Sequence, residues 1–199
     1  MKLVFASNNA HKLSEVRAMM PVGMIVLSLH DVGFGDEIEE TGITLEQNSR
    51  IKAETVYQWL NAKGLWNDID GVFADDTGLE IDVLDGRPGV YTARWAGSPA
   101  ANRQKALHEL ADKDNRKCQF RTVITLLLHN EQERQVVGIV RGRMATEERG
   151  EGGFGYDSLF IPDGYNQTFA ELPASIKNSI SHRARAIMAL VDTLNREKV

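Results

Sequence analysis

Apolar positions recur along the chain with two different periods, and where each period holds sets the expected elements. The run Leu3 to Ala6 breaks at the polar Ser7-Asn8-Asn9, which predicts a short buried strand handing over to a helix. Leu13, Val16 and Met20 fall on one face of that helix, from about Ala10 to Met20, and Pro21 closes it. Met24 to Leu29 reads as a second strand. Thr44 with Gln47 three residues on has capping-box spacing. It opens a helix carrying Ile51, Val56, Trp59 and Leu60, and Gly64 is the stop. Val72 to Asp75 and Leu79 to Leu84 read as two strands joined by a turn at Asp76-Thr77-Gly78. Asn102 to Leu110 reads as helix.

Further on, Gln119 to Leu128 and Gln135 to Arg143 are β-branched apolar runs separated by the polar stretch His129 to Arg134, the pattern of a long hairpin. Ile176, Ile180, Ala184, Ile187, Val191 and Leu194 mark a C-terminal helical stretch. Ser181 is a possible fresh N-cap within it, which puts His182 and Arg183 in a first helical turn. Strands alternating with helices early and pairing as a hairpin later predict an α/β fold on a mixed sheet. With no repeat and no break in composition, residues 1–199 are expected to form a single domain, and a two-lobed shape with a cleft fits the same pattern.

Composition narrows the partners. A net charge of −5 disfavours a general nucleic-acid binder but leaves room for a small phosphorylated ligand held by a few lysines. The single cysteine, Cys118, rules out an intrachain disulfide and a cysteine metal cluster, and its position in an apolar run suits a small hydrophobe in a strand. No apolar stretch approaches the ~20 residues of a membrane span, and the N-terminus lacks a signal-peptide pattern, so a cytoplasmic protein is expected. The five histidines show no metal-ligand spacing, so no zinc is assigned.

Five segments could carry chemistry. Ser7-Asn8-Asn9-Ala10-His11-Lys12 lies where a strand meets a helix, whose unpaired N–H groups and positive dipole end suit a phosphate. Plain helix capping is the alternative use. Asp75-Asp76-Thr77-Gly78 offers paired hard oxygens for Mg²⁺ and a carboxylate to take a proton from water, or else a simple turn. Glu39-Glu40-Thr41-Gly42 is a second acidic pair, with Lys52 two turns into the helix that follows. Glycine at 150, 152, 153 and 155 surrounds Phe154 and Tyr156 and leads to Asp157. Such a bend can bring an aromatic face and a carboxylate to a purine ring, or it can be a hairpin with two core aromatics. Lys177 and the run Ser181-His182-Arg183 add donors for a carbonyl or phosphate oxygen.

In order, the chain shows Ser-x-Asn-x-x-Lys (7 to 12), Glu-Glu-Thr-Gly (39 to 42), Ala-Asp-Asp-Thr-Gly-Leu (74 to 79), Gly-Arg-Pro-Gly-Val-Tyr-Thr-Ala-Arg (86 to 94), Gly-Gly-Phe-Gly-Tyr-Asp (152 to 157) and Ser-His-Arg (181 to 183). Over essentially its whole length this resembles the inosine triphosphate pyrophosphatase family, the Ham1-like non-standard purine nucleoside triphosphate pyrophosphatases. The resemblance implies Mg²⁺-dependent hydrolysis of ITP, dITP, XTP and dXTP to the monophosphate and pyrophosphate. It also implies a homodimer and a long mixed sheet with the active site between two lobes, the ITPase/Maf-like architecture. Carried over by position, Ser7, Asn9 and Lys12 hold the triphosphate with Lys52 and Lys177, and Asn8, Ala10 and His11 complete that loop. Asp76 is the metal ligand and general base, Asp75 supports it, and Glu40, or its neighbour Glu39, is the second metal ligand. Thr77 contacts substrate. Phe154 stacks on the base beside Gly155, while Tyr156, Asp157, His182 and Arg183 line its edge. Thr77 stands where many bacterial members have Ser, and Glu151 where a smaller residue is frequent.

The chemistry of the purines fits these donors. Deamination of adenine replaces a 6-amino donor with a carbonyl acceptor, so donors aimed at that oxygen are left unpaired by adenine. Sites of that kind reject the wrong ligand by roughly 10⁴. A Maf-like pyrophosphatase and a nucleotide-sensing module without catalysis are the alternatives. The intact Asp75-Asp76 pair speaks against the second.

Overall fold

The computed structural model describes residues 1–66, 68–130 and 132–196. Its strands are β1 (Lys2–Phe5), β2 (Ile25–Leu27), β3 (Gly71–Ile81), β4 (Pro88–Gly89), β5 (Lys117–Leu128), β6 (Glu133–Met144) and β7 (Phe160–Pro162). Its helices are α1 (Ala10–Met19), α2 (Leu29–Val32), α3 (Leu45–Lys63), α4 (Pro99–Glu109), α5 (Ala174–Ile180) and α6 (His182–Arg196). The strands form one mixed sheet in the order β2-β1-β3-β5-β6-β7, with β4 pairing β3 off that path. The expected mixed-sheet α/β class is therefore what the chain adopts. By contacts it divides into two compact units, one of Met1–Asp76, Thr122–Gly138 and Arg183–Val199, the other of Thr77–Arg121 and Ile139–His182.

In the first unit β1 runs parallel to both β2 and β3 and is buried on both faces. Leu3 and Phe5 pack with Phe73, Val16 of α1 and Ile187, Leu190 and Leu194 of α6. Val4 and Ala6 point the other way, to Val72, Ala74 and the α3 residues Val56, Tyr57 and Leu60. The alternation along one short strand thus seats a helix on each face, α6 with α1 on one and α3 on the other. Helix α3 starts and stops as its sequence requires. Thr44 Oγ1 accepts the Gln47 N–H, and Gly64 ends it at φ +64° in the left-handed region.

In the second unit the core joins Leu79 and Ile81 of β3, Phe120 of β5, Val140 and Met144 of β6, and Tyr156, Phe160 and Phe169. Cys118 of β5 belongs to this core at 4% exposure, and burial pushes its thiol well above the usual range. We expect Cys118 to resist a thiol reagent in native protein and to react at once in denaturant. Fast native labelling would mean that this edge of the core opens readily.

Two expected elements differ in the fold, and a third is met. Residues 71–81 form one unbroken strand, so Asp76-Thr77-Gly78 is no turn. The extended path is held because the Leu79 N–H donates to Thr92 Oγ1 at 2.8 Å and β4 pairs with residues 79 and 80. Leu29 does not extend β2. It begins α2, where Ser28 and Asp31 make a reciprocal capping box. The C-terminal stretch breaks at Ser181, whose backbone is extended between α5 and α6, and His182 and Arg183 do open the second helix.

Candidate active site

In the first unit the candidate residues gather around Asp75 and Asp76, midway along β3. The loop after β1 turns into α1 through Asn9, which caps the helix by accepting the Lys12 N–H at 3.1 Å, while Ser7 Oγ accepts the Asn9 N–H at 3.3 Å. Asn8, Asn9, Ala10 and His11 are exposed. Lys12 turns inward, and its Nζ donates to Asp75 Oδ1 at 2.9 Å. Arg183 reaches the same carboxylate, with Nε 3.0 Å from Asp75 Oδ2, and also binds Glu15 of α1. Both Asp75 and Arg183 are 1% exposed. Glu15, three residues after Lys12, was not singled out in the sequence; that one-turn spacing was the available signal.

Lys52, projecting from α3, bridges the remaining acids. Its Nζ donates to Glu40 Oε1 at 2.7 Å and to Asp76 Oδ1 at 3.2 Å. Asp76 Oδ2 is buried with no hydrogen-bond partner among the described residues. Of the two adjacent glutamates, Glu40 is the one turned to Lys52, and Glu39 is exposed.

Neighbouring aspartates are driven in opposite directions. Burial raises the Asp75 carboxyl, but Lys12, Arg183 and Lys52 outweigh it and hold the group below the usual range. Burial also raises Asp76, and there the pull of Lys52 and Lys12 is opposed by Glu40 and Asp75, so its pKa stays above the ordinary value. Lys52 loses stability as a cation by burial and regains more from Asp76, Asp75 and Glu40, leaving its pKa raised. Lys12 is lowered, by burial first and by Lys52 and Arg183. A pair of like groups pushed apart in this way divides the work: one stays ionised, the other is ready to exchange a proton.

The donor set suits a hard cation. Among the described residues no group of three or more His, Cys, Asp and Glu is gathered in metal-holding geometry. Mg²⁺, however, is commonly held by one or two carboxylates, with substrate phosphates and waters filling the other positions. Asp76 and Glu40, both within hydrogen-bond reach of the same ammonium, provide that number, and the unpartnered Asp76 Oδ2 is a buried acceptor with spare capacity.

In the second unit the glycine-rich segment is a bend, not a hairpin. Gly150, Gly153 and Gly155 have φ of +83°, +73° and +63°, which L side chains rarely adopt. Asp157 folds back under the bend, its Oδ2 accepting the Phe154 N–H at 2.7 Å and the Lys177 Nζ at 2.6 Å. The Lys177 ammonium lies 4.9 Å from the centre of the Phe154 ring. A pocket of about 280 Å³ is bounded by this loop, with Arg103, Glu148, Phe154 and Asp157 among its walls. Arg103 also donates to the Gly155 carbonyl at 3.2 Å, a contact that no motif in the sequence announced. Tyr156 is buried, with its hydroxyl donating to the Thr92 carbonyl at 3.0 Å. His182 stacks obliquely on Phe120 with ring centres 4.8 Å apart, and Thr77 is half-buried in β3.

Phe154, Asp157 and Lys177 therefore come together, as do Lys12, Lys52, Glu40, Asp75, Asp76 and Arg183. Lys177 falls in the first of these groups.

The Ham1 family profile matches residues 3–193. A dITP/XTP pyrophosphatase of Flavobacterium johnsoniae is 44% identical, the match covering 100% of both chains. One from Bacillus subtilis is also 44% identical, over 94% of this chain and 93% of its own. The solved structure of the Staphylococcus aureus Ham1 protein superposes with a TM-score of 0.85 at 36% identity, covering 99% of this chain and 100% of that one.

Proposed function

We propose that this chain, which belongs to the Ham1 family, hydrolyses deaminated purine nucleoside triphosphates (dITP and XTP, with ITP and dXTP) to the monophosphate and pyrophosphate, clearing them from the nucleotide pool. The observation that carries the reading is the Asp75–Asp76 pair, in which one carboxylate is tied down by Lys12 and Arg183 and the other keeps a buried oxygen without a partner.

In this reading Asp76 takes a proton from a water molecule as that water's oxygen bonds to the α-phosphorus. The bond from the α-phosphorus to the bridging oxygen breaks, and pyrophosphate leaves with the electron pair. Lys12, Lys52 and the helix start at Ser7 to His11 neutralise the phosphates, which otherwise repel the incoming nucleophile. Asp76 and Glu40 would hold Mg²⁺, which when bound adds charge neutralisation and lowers the pKa of water. Asp75 keeps Lys12 and Arg183 in place.

For the base, Phe154 offers a stacking face and Gly155 leaves room beside it. Asp157 accepts from the N–H edge of the ring. We move Lys177 from the phosphates to this group, because its ammonium sits on Asp157 and against Phe154. With His182 it donates to the 6-oxo group, Arg183 steadies Asp75, and Thr77 contacts the substrate nearer the phosphates. Tyr156 supports the bend from beneath through Thr92. A single domain, a homodimer and a cytoplasmic location complete the proposal on the strength of the family resemblance.

The test is product analysis with Mg²⁺ and ITP, XTP, GTP or ATP. We expect IMP and pyrophosphate from ITP, at a kcat/KM exceeding that for ATP by ~10² or more. Release of orthophosphate, or equal rates on ATP and ITP, would overturn the assignment.

A further inference from the structure

Asn48 lies in the first turn of α3, four residues before Lys52 and so on the same face of the helix. It is fully buried. Its Oδ1 accepts the Gly42 N–H at 2.8 Å, fastening the acidic loop to the helix. The approach is close enough to need glycine: a Cβ on Gly42 would stand 2.6 Å from Asn48 Oδ1 and 2.7 Å from Gln47 Cβ. Gly42 is not among the positive-φ glycines, so the requirement there is space and not conformation. The loop is tied at a second point by the Ile43 N–H, which donates to Gln47 Oε1 at 2.8 Å. Two residues upstream of Gly42, Glu40 reaches Lys52.

The other end of the Asn48 amide is the informative one. Nδ2 is buried with no hydrogen-bond partner among the described residues. A buried amide donor left unmatched is unfavourable, and an apolar side chain of the same shape would avoid that cost. It would also strand the Gly42 N–H, so the Oδ1 bond to the acidic loop is what asparagine supplies at this position.

We propose that Asn48 is a positioning residue for the reaction: it fixes the Glu39–Gly42 loop on α3 so that the Glu40 carboxylate faces Lys52 and Asp76. This rests on the reading of Glu40 as a metal ligand given above. Partners that orient a ligand in this way typically change metal affinity 10–100-fold when removed.

The test uses Asn48→Leu, which removes the acceptor while keeping the volume, and Gly42→Ala, which keeps Asn48 and lifts the loop away. Mn²⁺ affinity is read by electron paramagnetic resonance on the full chain, alongside the melting temperature and the ratio of kcat/KM for ITP over ATP. The proposal expects both variants to bind Mn²⁺ about 10–100-fold more weakly with the ITP:ATP ratio unchanged. It further expects the double variant to be no worse than the poorer single one, since both break the same contact. If Asn48→Leu fails to fold, Gly42→Ala decides alone. Unchanged Mn²⁺ affinity in a folded variant, where Glu40→Gln weakens it, would overturn the role of Asn48. Unchanged affinity in Glu40→Gln would instead overturn the reading of Glu40 beneath it.

Discussion

Replacing Asp76 with Asn is expected to lower kcat for ITP by about 10²–10⁴ while leaving the protein as stable as before, or slightly more so. The two halves of this expectation come from different facts. Catalysis falls because the amide neither takes the proton of the attacking water nor donates a negative oxygen to a cation. Stability holds because Asp76 is a desolvated charge with one oxygen unpartnered, and the amide keeps an acceptor for Lys52 without that burden. Asp75→Asn is the informative contrast. Its carboxylate is 1% exposed between Lys12 and Arg183, and breaking a buried pair from one side costs about 3–5 kcal/mol. Neighbouring aspartates should therefore separate, one variant folded and inactive, the other destabilised. Turnover at saturating ITP and a thermal melt of each variant measure both effects. An active Asp76→Asn protein removes Asp76 from the base and metal roles.

The legible parts of the sequence were those governed by local rules. Thr44 and Gly64 bracket α3 because caps act within a turn of their own helix, and Ser181 breaks the C-terminal stretch where its sequence says it should. Asp76-Thr77-Gly78 misled because turn preference is also local, whereas the pairing that keeps this stretch straight comes from β4 and from Thr92, which lies 13 positions from Leu79 in the chain. The site shows the same division. Lys12 and Asn9, Lys52 and Asn48, Phe154 and Asp157 are related by helix or turn spacing. Arg183 meets Asp75 across 108 positions, and no spacing rule reaches that far. The family resemblance named the candidate residues, and the fold shows what each one touches. Lys177 illustrates the difference, since only the fold shows that it stands on a carboxylate beside an aromatic ring.

That placement leads to the second large effect. In Asp157→Ala the Lys177 ammonium, itself 5% exposed, loses a partner at 2.6 Å, and the Phe154 N–H loses its acceptor. A stability loss of about 3–5 kcal/mol is expected, a fall in melting temperature on the order of 10 °C for a chain of this size. Preference for ITP over ATP should fall with it, because the bend no longer holds Phe154 and the edge acceptor is gone. A second substitution separates the two consequences. Adding Lys177→Met removes the stranded charge, and replacing both members of a buried pair by apolar groups is often neutral. The double variant should therefore regain most of the melting temperature. Selectivity should not return, since neither the acceptor for the ring N–H nor the ammonium for the 6-oxo group is restored. If the double variant recovered the ITP:ATP ratio along with its stability, Asp157 and Lys177 would be a structural pair under the loop, and base recognition would have to lie elsewhere.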